Sequence, residues 1–252
     1  MKKIYGLTAL MLCILIVLSG CGKSEKKTEE SKNKSMTTSE SYIDKLKIDK
    51  KNLTHTNVIP EYVFDISNLK ELEKYATHIF IGKVDSIDGC STTAGSGEFS
   101  PVPEEYGKIN VIKSIKGKFD SDRVKFARPG GVISVAEYEK YAPEELVENE
   151  DAKRTASGKG NIDKNTNFYE MRHDGDIKIE AGKTYLFFAM YNEKTKCYFI
   201  IGDKFGSREI DGKSIEDKDA FQKSFDRDEL RIKDNDKGNY ESLKKFLEKF
   251  CS

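Results

Sequence analysis

Cys21 is the residue whose setting most clearly suggests chemistry. It follows an unbroken apolar run of ten residues at positions 9–18, which two lysines precede near the amino terminus. A membrane-spanning helix needs about 20 apolar residues, so this run has the length of a secretory signal sequence. Two small residues separate the run from Cys21 and let the backbone enter a peptidase cleft. The thiol then supplies a nucleophilic sulfur for covalent modification.

The motif LSGC at positions 18–21 resembles the lipobox of bacterial lipoproteins. The resemblance implies that residues 1–20 are a lipoprotein signal peptide and that Cys21, once released, carries the lipid, palmitate included. Acyl chains at Cys21 would make the membrane a partner and would hold the domain on the outer face of the cytoplasmic membrane. Two acyl chains satisfy the requirement of two signals for stable anchoring. An uncleaved membrane anchor with an incidental cysteine is the alternative.

The segment after Cys21 is almost wholly polar. Between Gly22 and Glu40 the sole apolar residue is Met36. Such a stretch cannot bury enough surface to offset the entropy of ordering it. We therefore expect residues 21–41 to be a disordered leash between the lipid and a single folded domain at 42–252.

The charge balance argues against a nucleic-acid partner. The chain has 43 Lys and Arg and 43 Asp and Glu, and removing Lys2 and Lys3 with the signal peptide leaves 41 basic residues. Nucleic-acid binding needs a basic excess that can displace counterions.

Three cysteines remain in the exported part besides Cys21, namely Cys90, Cys197 and Cys251. Their spacings match no zinc-binding pattern. One disulfide and three free thiols are both compatible with the sequence. We expect no metal and no cofactor.

The three histidines are His55, His78 and His173. His173 precedes Asp174, and the two could be half of a metal or acid–base site, although a solvated loop pair is the simpler interpretation. His78 begins a strand and is expected to be structural.

Other motifs lead to no catalytic residue. Asp234 and Asp236 match the first positions of a calcium-binding loop, but its Gly and Glu positions are not met. A polar linker is the simpler interpretation. The glycine-rich SGKGN lacks the strand-to-helix setting of a phosphate-binding loop. Five acids of the insert are expected to form a solvated helix face, with a cationic partner as the alternative: Glu144, Glu145, Glu148, Glu150 and Asp151.

The pattern of apolar residues predicts five strands with flanking helices. A helix with the stripe Leu69, Leu72 and Ala76, capped by Ser67, precedes the first strand. The five strands are expected at 78–87, 105–117, 123–131, 176–190 and 197–213. Between the third and the fourth lies a polar insert, 136–172, with helices on either side of Pro143. Two helical stretches, near 215–226 and 239–250, close the chain.

These strands resemble a known barrel. The phrases ATHIFIGKVDSI, YGKINVIKSIKGKF, VKFARPGG and IEAGKTYLFFAMYN are similar to the netrin-like barrel of the tissue inhibitors of metalloproteinases. They are also similar to Gram-positive lipoproteins of unknown role. The resemblance covers about residues 65–210 and implies a five-stranded, OB-like Greek-key barrel, with a helical tail at 215–251.

The inhibitors chelate zinc through a free amino-terminal cysteine on the barrel rim. Here that cysteine is expected to be acylated and separated from the barrel by the leash, and the characteristic disulfides are missing. The sequence therefore gives no support to a metalloproteinase-inhibitor role.

Three of the predicted strands carry consecutive apolar residues, as in the run at 185–190. A strand with one solvated face would alternate apolar and polar residues. Both faces must therefore be buried. We predict that the stripe of Leu69, Leu72 and Ala76, that of Tyr240, Leu243, Leu247 and Phe250, or both, cover the outside of the sheet.

The resulting expectation is a monomeric cell-surface lipoprotein that binds an unknown envelope or extracellular ligand without catalysis. A cell-envelope hydrolase with an unrecognised site is the alternative, as is a lipoprotein that protects the cell from a toxin or hydrolase. An enzyme should bring titratable groups with shifted pKa values together in a cleft. A binding module should instead expose an apolar or aromatic face.

Overall fold

The structure is a computed structural model, and it describes residues 41–211, 215 and 217–249. The predictions for the signal peptide, for Cys21, for the leash before residue 41 and for Phe250 and Cys251 lie outside these residues. Within them, no helix is long and apolar enough to cross a membrane.

Strands predominate among the described elements. The strands are β1 Leu53–Val58, β2 His78–Ser91, β3 Glu104–Lys116, β4 Arg123–Pro129, β5 Gly131–Ser134, β6 Phe168–His173, β7 Thr184–Asn192, β8 Cys197–Ile200, β9 Ser207–Asp211, β10 Arg231–Lys233 and β11 Tyr240–Ser242. The helices are α1 Tyr42–Leu46, α2 Leu69–Tyr75, α3 Val135–Glu139, α4 Glu144–Ala156, α5 Asp203–Gly206, α6 Lys218–Asp226 and α7 Leu243–Glu248, with a 3-10 turn at Lys50–Asn52.

Two sheets organise these strands. The larger has the order β11-β10-β9-β7-β2-β3-β4-β8, and β7 pairs with β8 as well. Its neighbours are antiparallel except β4 and β8, which are parallel. The smaller sheet has the order β1-β6-β5, with β1 parallel to β6. The expectation of a mainly β protein with flanking helices is confirmed.

Strands β2 and β7 separate two apolar clusters, because successive side chains point to opposite faces. On one face, Ile79 and Ile81 of β2 lie with Leu186 and Phe188 of β7. On the other, Phe80 and Val84 lie with Tyr185 and Phe187. The consecutive apolar residues are thus explained by burial on both sides of the sheet.

Helices cover the first of these faces, as predicted. The cluster around Ile79 includes Leu72 of α2, Phe221 of α6 and Leu243 of α7. The predicted helix starts need correction, however. Asn68 rather than Ser67 caps α2, and Tyr240 belongs to β11, where it is 42% exposed.

Several predicted strand boundaries were wrong. The fourth strand begins only at Thr184, and the segment predicted as the fifth strand contains β8, α5 and β9. The chain turns at Gly202, whose φ of 78° suits glycine and where a Cβ atom would lie 2.4 Å from Leu72 Cδ2. The polar insert contains α3 and α4 on either side of Pro143, as predicted, but also β6, which was not.

Strand β2 bends along its length. Its pairing with β3 shifts register at four places, and such bulges bend a strand and increase its twist. At one of them Gly107 approaches so closely that a Cβ atom would lie 2.0 Å from the Ser86 carbonyl oxygen. The end of β2 pairs with the start of β3 and lines the groove described below.

Candidate functional site

Two regions of the larger sheet concentrate polar side chains, on opposite faces of β3 and β4. The outer face carries Tyr106 and Lys108 of β3 with Lys125 of β4, and the inner face carries Glu105 and Arg128. This division follows from the alternation of side chains along a strand. We call the outer region the outer groove and the inner region the buried cluster.

The outer groove has a volume of about 510 Å³, within the usual range for ligand sites of about 300–1,000 Å³. Its walls come from the end of β2 and the loop after it, from β3, β4 and α3, and from the β7–β8 turn. The lining residues are Asp88, Cys90, Ser91, Ala94, Tyr106, Gly107, Lys108, Lys125, Phe126, Glu137, Thr195 and Cys197.

Tyr106 places an aromatic side chain in the groove. Its partner across the ladder is Gly89, and a Cβ atom there would lie 2.7 Å from the Tyr106 hydroxyl oxygen. The absence of a side chain at Gly89 therefore lets the phenol ring lie against β2. Tyr106 remains 38% exposed, so part of this ring is open to a ligand.

Charges in the groove are separated. Lys108 and Lys125 face each other directly across the β3–β4 ladder. Partial burial, with Asp88 and Glu137 nearby, raises the pKa of Tyr106. Two carboxylates and two lysines therefore line the groove, and none of them pairs with another within 4 Å.

Both cysteines that line the groove are free, but the Cys90 thiol lies on the inner face, where it donates to the Gly130 carbonyl oxygen at 3.8 Å. Burial and the neighbouring Glu105 raise the pKa of Cys90, and burial and Glu104 raise the pKa of Cys197 to about 12. At neutral pH both are protonated, and a thiol is a weak nucleophile. The groove thus lacks an activated cysteine.

The buried cluster begins with an ion pair that solvent does not reach. Arg128 Nη2 donates to Asp176 Oδ1 at 2.5 Å, and the side chains are 0% and 1% exposed. Burial raises the pKa of Asp176 even though Arg128 opposes the shift. The pair closes one end of the apolar cluster that contains Phe126.

His173 belongs to this cluster and not to a solvated loop. Its Nδ1 lies 2.9 Å from Asp203 Oδ1, and the Tyr62 hydroxyl donates to Asp203 Oδ2. Burial would raise the pKa of Asp203, but the hydrogen bonds from His173 and Tyr62 outweigh it and the pKa is lowered. Asp174, the predicted partner of His173, is exposed.

A second part of the buried cluster consists of hydrogen bonds between α1 and the strands. The Tyr42 hydroxyl donates to Glu105 Oε1 at 3.2 Å and accepts from the Val132 amide at 2.9 Å. Arg172 Nη2 donates to the same Glu105 oxygen at 3.4 Å. Burial and Glu105 raise the pKa of Tyr42, so its hydroxyl keeps its proton. These contacts pair Glu105 and Arg172 within the fold, although Glu105 Oε2 and Arg172 Nη1 have no hydrogen-bond partner among the described residues.

The other residues considered from the sequence are structural. His78 packs against Phe119 and Tyr198 and contacts the Lys118 carbonyl, as expected for a structural histidine. His55 pairs with Glu170 at the surface. Asp234 accepts from the Asp236 and Lys237 amides in the turn between β10 and β11, so the predicted linker is a hairpin.

The acidic insert and the glycine-rich segment form a local network. Arg154 of α4 donates to Glu139 Oε1 at 2.7 Å, and Lys164 donates to Glu139 Oε2 at 2.6 Å and to Asp151 Oδ2 at 3.1 Å. Hydrogen bonds from Arg154 and Lys164 lower the pKa of Asp151. Asp151 therefore helps to hold the insert together, whereas Glu144, Glu145 and Glu148 are exposed on α4.

In the described part of the chain, no group of three or more His, Cys, Asp or Glu side chains is arranged to hold a metal ion. Comparisons with protein-family models, with curated proteins and with solved structures found no match.

Proposed function

We propose that this chain is a monomeric, lipid-anchored cell-surface protein that binds an envelope or extracellular ligand in the outer groove without catalysis. The observation that carries the proposal is the groove itself, which holds an exposed aromatic ring and unpaired charges. The apolar faces of β2 and β7, by contrast, are covered by helices or by other strands and are not available to a ligand.

We also propose that five strands form an OB-like Greek-key barrel. The pairings support it: β2 pairs with β3, β3 with β4, β4 with β8, β8 with β7 and β7 with β2. OB-folds bind ligands on the second and third strands and the loops that flank them. The outer groove has this position, since β3 and β4 form its floor and the β2–β3 loop and β7–β8 turn form its sides.

The binding proposal is tested with Tyr106→Ala. Purified full-length chain in detergent is mixed with isolated Gram-positive cell walls, and the bound fraction is measured by sedimentation. We expect the affinity to fall about fivefold or more, because aromatic residues in binding sites commonly contribute over 1 kcal/mol. Tyr240→Ala, which removes a similarly exposed ring from β11, is the control. Equal binding by Tyr106→Ala and the unmodified chain would refute the proposed site.

The anchor is tested separately with Cys21→Ala. The variant is expected to remain unprocessed and to lose lipid labelling, because the acylated sulfur is absent. Labelling cells with a radioactive fatty acid and fractionating them measures both effects. Unchanged labelling and membrane retention would contradict the assignment of Cys21.

The buried cluster favours a second candidate function, a cell-envelope hydrolase. Tyr62, His173 and Asp203 form a hydrogen-bonded series in which His173 could transfer a proton. Against it, the His173 and Asp203 side chains are only 11% and 8% exposed, so a substrate would require Tyr62 to move away.

The two candidate functions predict opposite results for His173→Gln. A hydrolase would lose release of soluble fragments from cell walls, whereas the binding module would keep its wall affinity unchanged. Measuring both quantities on the same protein separates the two functions.

A further inference from the structure

The two lysines of the outer groove are not explained by the fold. Lys108 and Lys125 occupy directly opposed positions on β3 and β4. Like charges in such positions destabilise a sheet. Neither lysine forms an ion pair within 4 Å with any described residue. An anionic group held between them would remove the repulsion.

The rest of the groove limits what else the ligand can be. Tyr106 is two residues before Lys108 on the same face, and its ring presents a flat apolar surface. Asp88 and Glu137 line the same groove as Tyr106, and Glu137 also contacts Lys140 at 3.4 Å. Carboxylates accept hydrogen bonds and do not donate them when ionised. This end of the groove therefore suits a neutral group rich in hydroxyl donors.

From these two halves we infer that the outer groove binds a glycan that carries an anionic group, either a carboxylate or a phosphate. One sugar ring packs on Tyr106 with its hydroxyls donating to Asp88 and Glu137, and the anion lies between Lys108 and Lys125. A uniformly acidic peptide fits less well, because Asp88 and Glu137 repel it. A neutral glycan leaves the lysine pair without a partner. This inference rests on the proposed binding function and names its ligand class.

The test compares four probes by isothermal titration calorimetry with the full-length chain in detergent. They are a hyaluronan tetrasaccharide, a mannotriose with a terminal 6-phosphate, neutral chitotetraose and hexaglutamate. We expect one of the charged glycans to bind about tenfold more tightly than chitotetraose, within what two partly exposed ion pairs contribute. The preference should weaken as salt is added. Whether the carboxylate or the phosphate probe binds identifies the source of the anion.

The variant K108Q/K125Q should lose the preference for the charged glycan and keep the affinity for the neutral one. The control K70Q/K245Q removes the same number of charges from exposed lysines outside the groove and should keep the preference. Thermal unfolding confirms that each variant is folded, and K108Q/K125Q should melt at or above the temperature of the unmodified chain.

Three results would overturn the inference: charged glycans bind K108Q/K125Q as tightly as the unmodified chain, hexaglutamate binds better than either glycan, or no glycan binds. Failure of the broader proposal looks different. If Tyr106→Ala loses cell-wall binding while the lysine variant changes nothing, the groove binds a ligand that is not an anionic glycan. If Tyr106→Ala also binds walls normally, the groove is not the binding site.

Discussion

The outer groove and the buried cluster lie on opposite faces of the same two strands, but they differ in how their charged side chains are paired. In the cluster, Arg128 pairs with Asp176 and is fully buried. In the groove, half-buried Lys108 and exposed Lys125 face each other across the β3–β4 ladder. The first arrangement pairs its charges within the protein, although Arg128 Nη1 and Asp176 Oδ2 have no hydrogen-bond partner among the described residues. The second leaves both lysines without an ion-pair partner among those residues.

This difference separates charges that are paired within the fold from charges that are not. A buried charge without a partner costs several kcal/mol, so any buried pair must be completed for the chain to fold. Exposed charges carry no such requirement, because water solvates them. The charges of the cluster are thus paired as folding requires. The two opposed lysines of the groove have no such explanation within the fold, and under the proposed function they bind an anion.

The largest effect is expected for Arg128→Met, which leaves Asp176 buried and unpaired. We expect a loss of about 3–5 kcal/mol in the free energy of unfolding, measured by urea denaturation at pH 7. Arg123→Met is the matched control, since Arg123 lies on the same strand and pairs with Asp85 at the surface. Its loss should be within about 1 kcal/mol.

The companion variant Arg128→Met with Asp176→Leu removes both charges and should recover much of the lost stability, because no buried charge remains. If Arg128→Met costs no more than Arg123→Met, the pair is not buried in solution. The contrast between the two faces of the sheet would then fail.

A smaller effect is expected for Asp203→Asn, which tests whether the contact between His173 and Asp203 stabilises the fold. Asparagine tolerates the left-handed φ of 46° at this position, so the backbone is not strained. At pH 7 the loss of charge-assisted hydrogen bonds from His173 and Tyr62 should cost about 1.5–3 kcal/mol. Asp174→Asn, beside His173 but exposed, should change stability by less than about 0.5 kcal/mol.

The pH dependence of this cost has a definite sign. The folded-state pKa of Asp203 is lowered, so its contribution is present above the unfolded value of about 3.9 and is lost as pH falls through the folded pKa. Asp176 acts in the opposite direction, since its raised pKa means that protonation relieves a cost. The difference between Asp203→Asn and the unmodified chain isolates Asp203 and should shrink in melts below about pH 4. A difference that grows on acidification would contradict the assignment.

Sequence patterns predicted the parts of the fold that burial controls. The runs in β2 and β7 are apolar on both faces, and the stripes of Leu72 and Leu243 had to cover one of them. Strand β6 was missed because its sequence FYEMRH lies in a polar insert and pairs with β1, more than a hundred residues earlier. The short β10 and β11 carry too few residues to show a period.

The candidate sites could be predicted only in part. The alternation of Tyr106 and Lys108 with buried residues is visible in the sequence, and it marks them as outward-facing. That Lys125 lies opposite Lys108 depends on the register of two strands, which no local pattern fixes. His173 and Asp203 are 30 residues apart and meet only through the tertiary fold. The neighbouring Asp174 was therefore the wrong partner to consider.

The smallest effect is expected in the groove and concerns the free protein. Lys108→Gln removes one of two opposed positive charges, so the variant should be more stable than the unmodified chain by about 0.5 kcal/mol. Most surface substitutions are neutral or destabilising, which makes a gain informative. Lys70→Gln, on the exposed side of α2, has no opposed lysine across a ladder and should show no gain.

Adding salt distinguishes repulsion between Lys108 and Lys125 from any other cause of the gain in stability of Lys108→Gln. Added sodium chloride screens the two lysines and should therefore stabilise the unmodified chain relative to Lys108→Gln. The unfolding temperatures of the two proteins should converge near 1 M salt, where the screening length is about 3 Å. Unfolding curves at low and high salt measure the effect. If Lys108→Gln is less stable at every salt concentration, Lys108 has a stabilising partner within the fold. The charge of Lys108 would then be paired within the protein, like the charges of the buried cluster. There would be no reason to expect an anion in the groove.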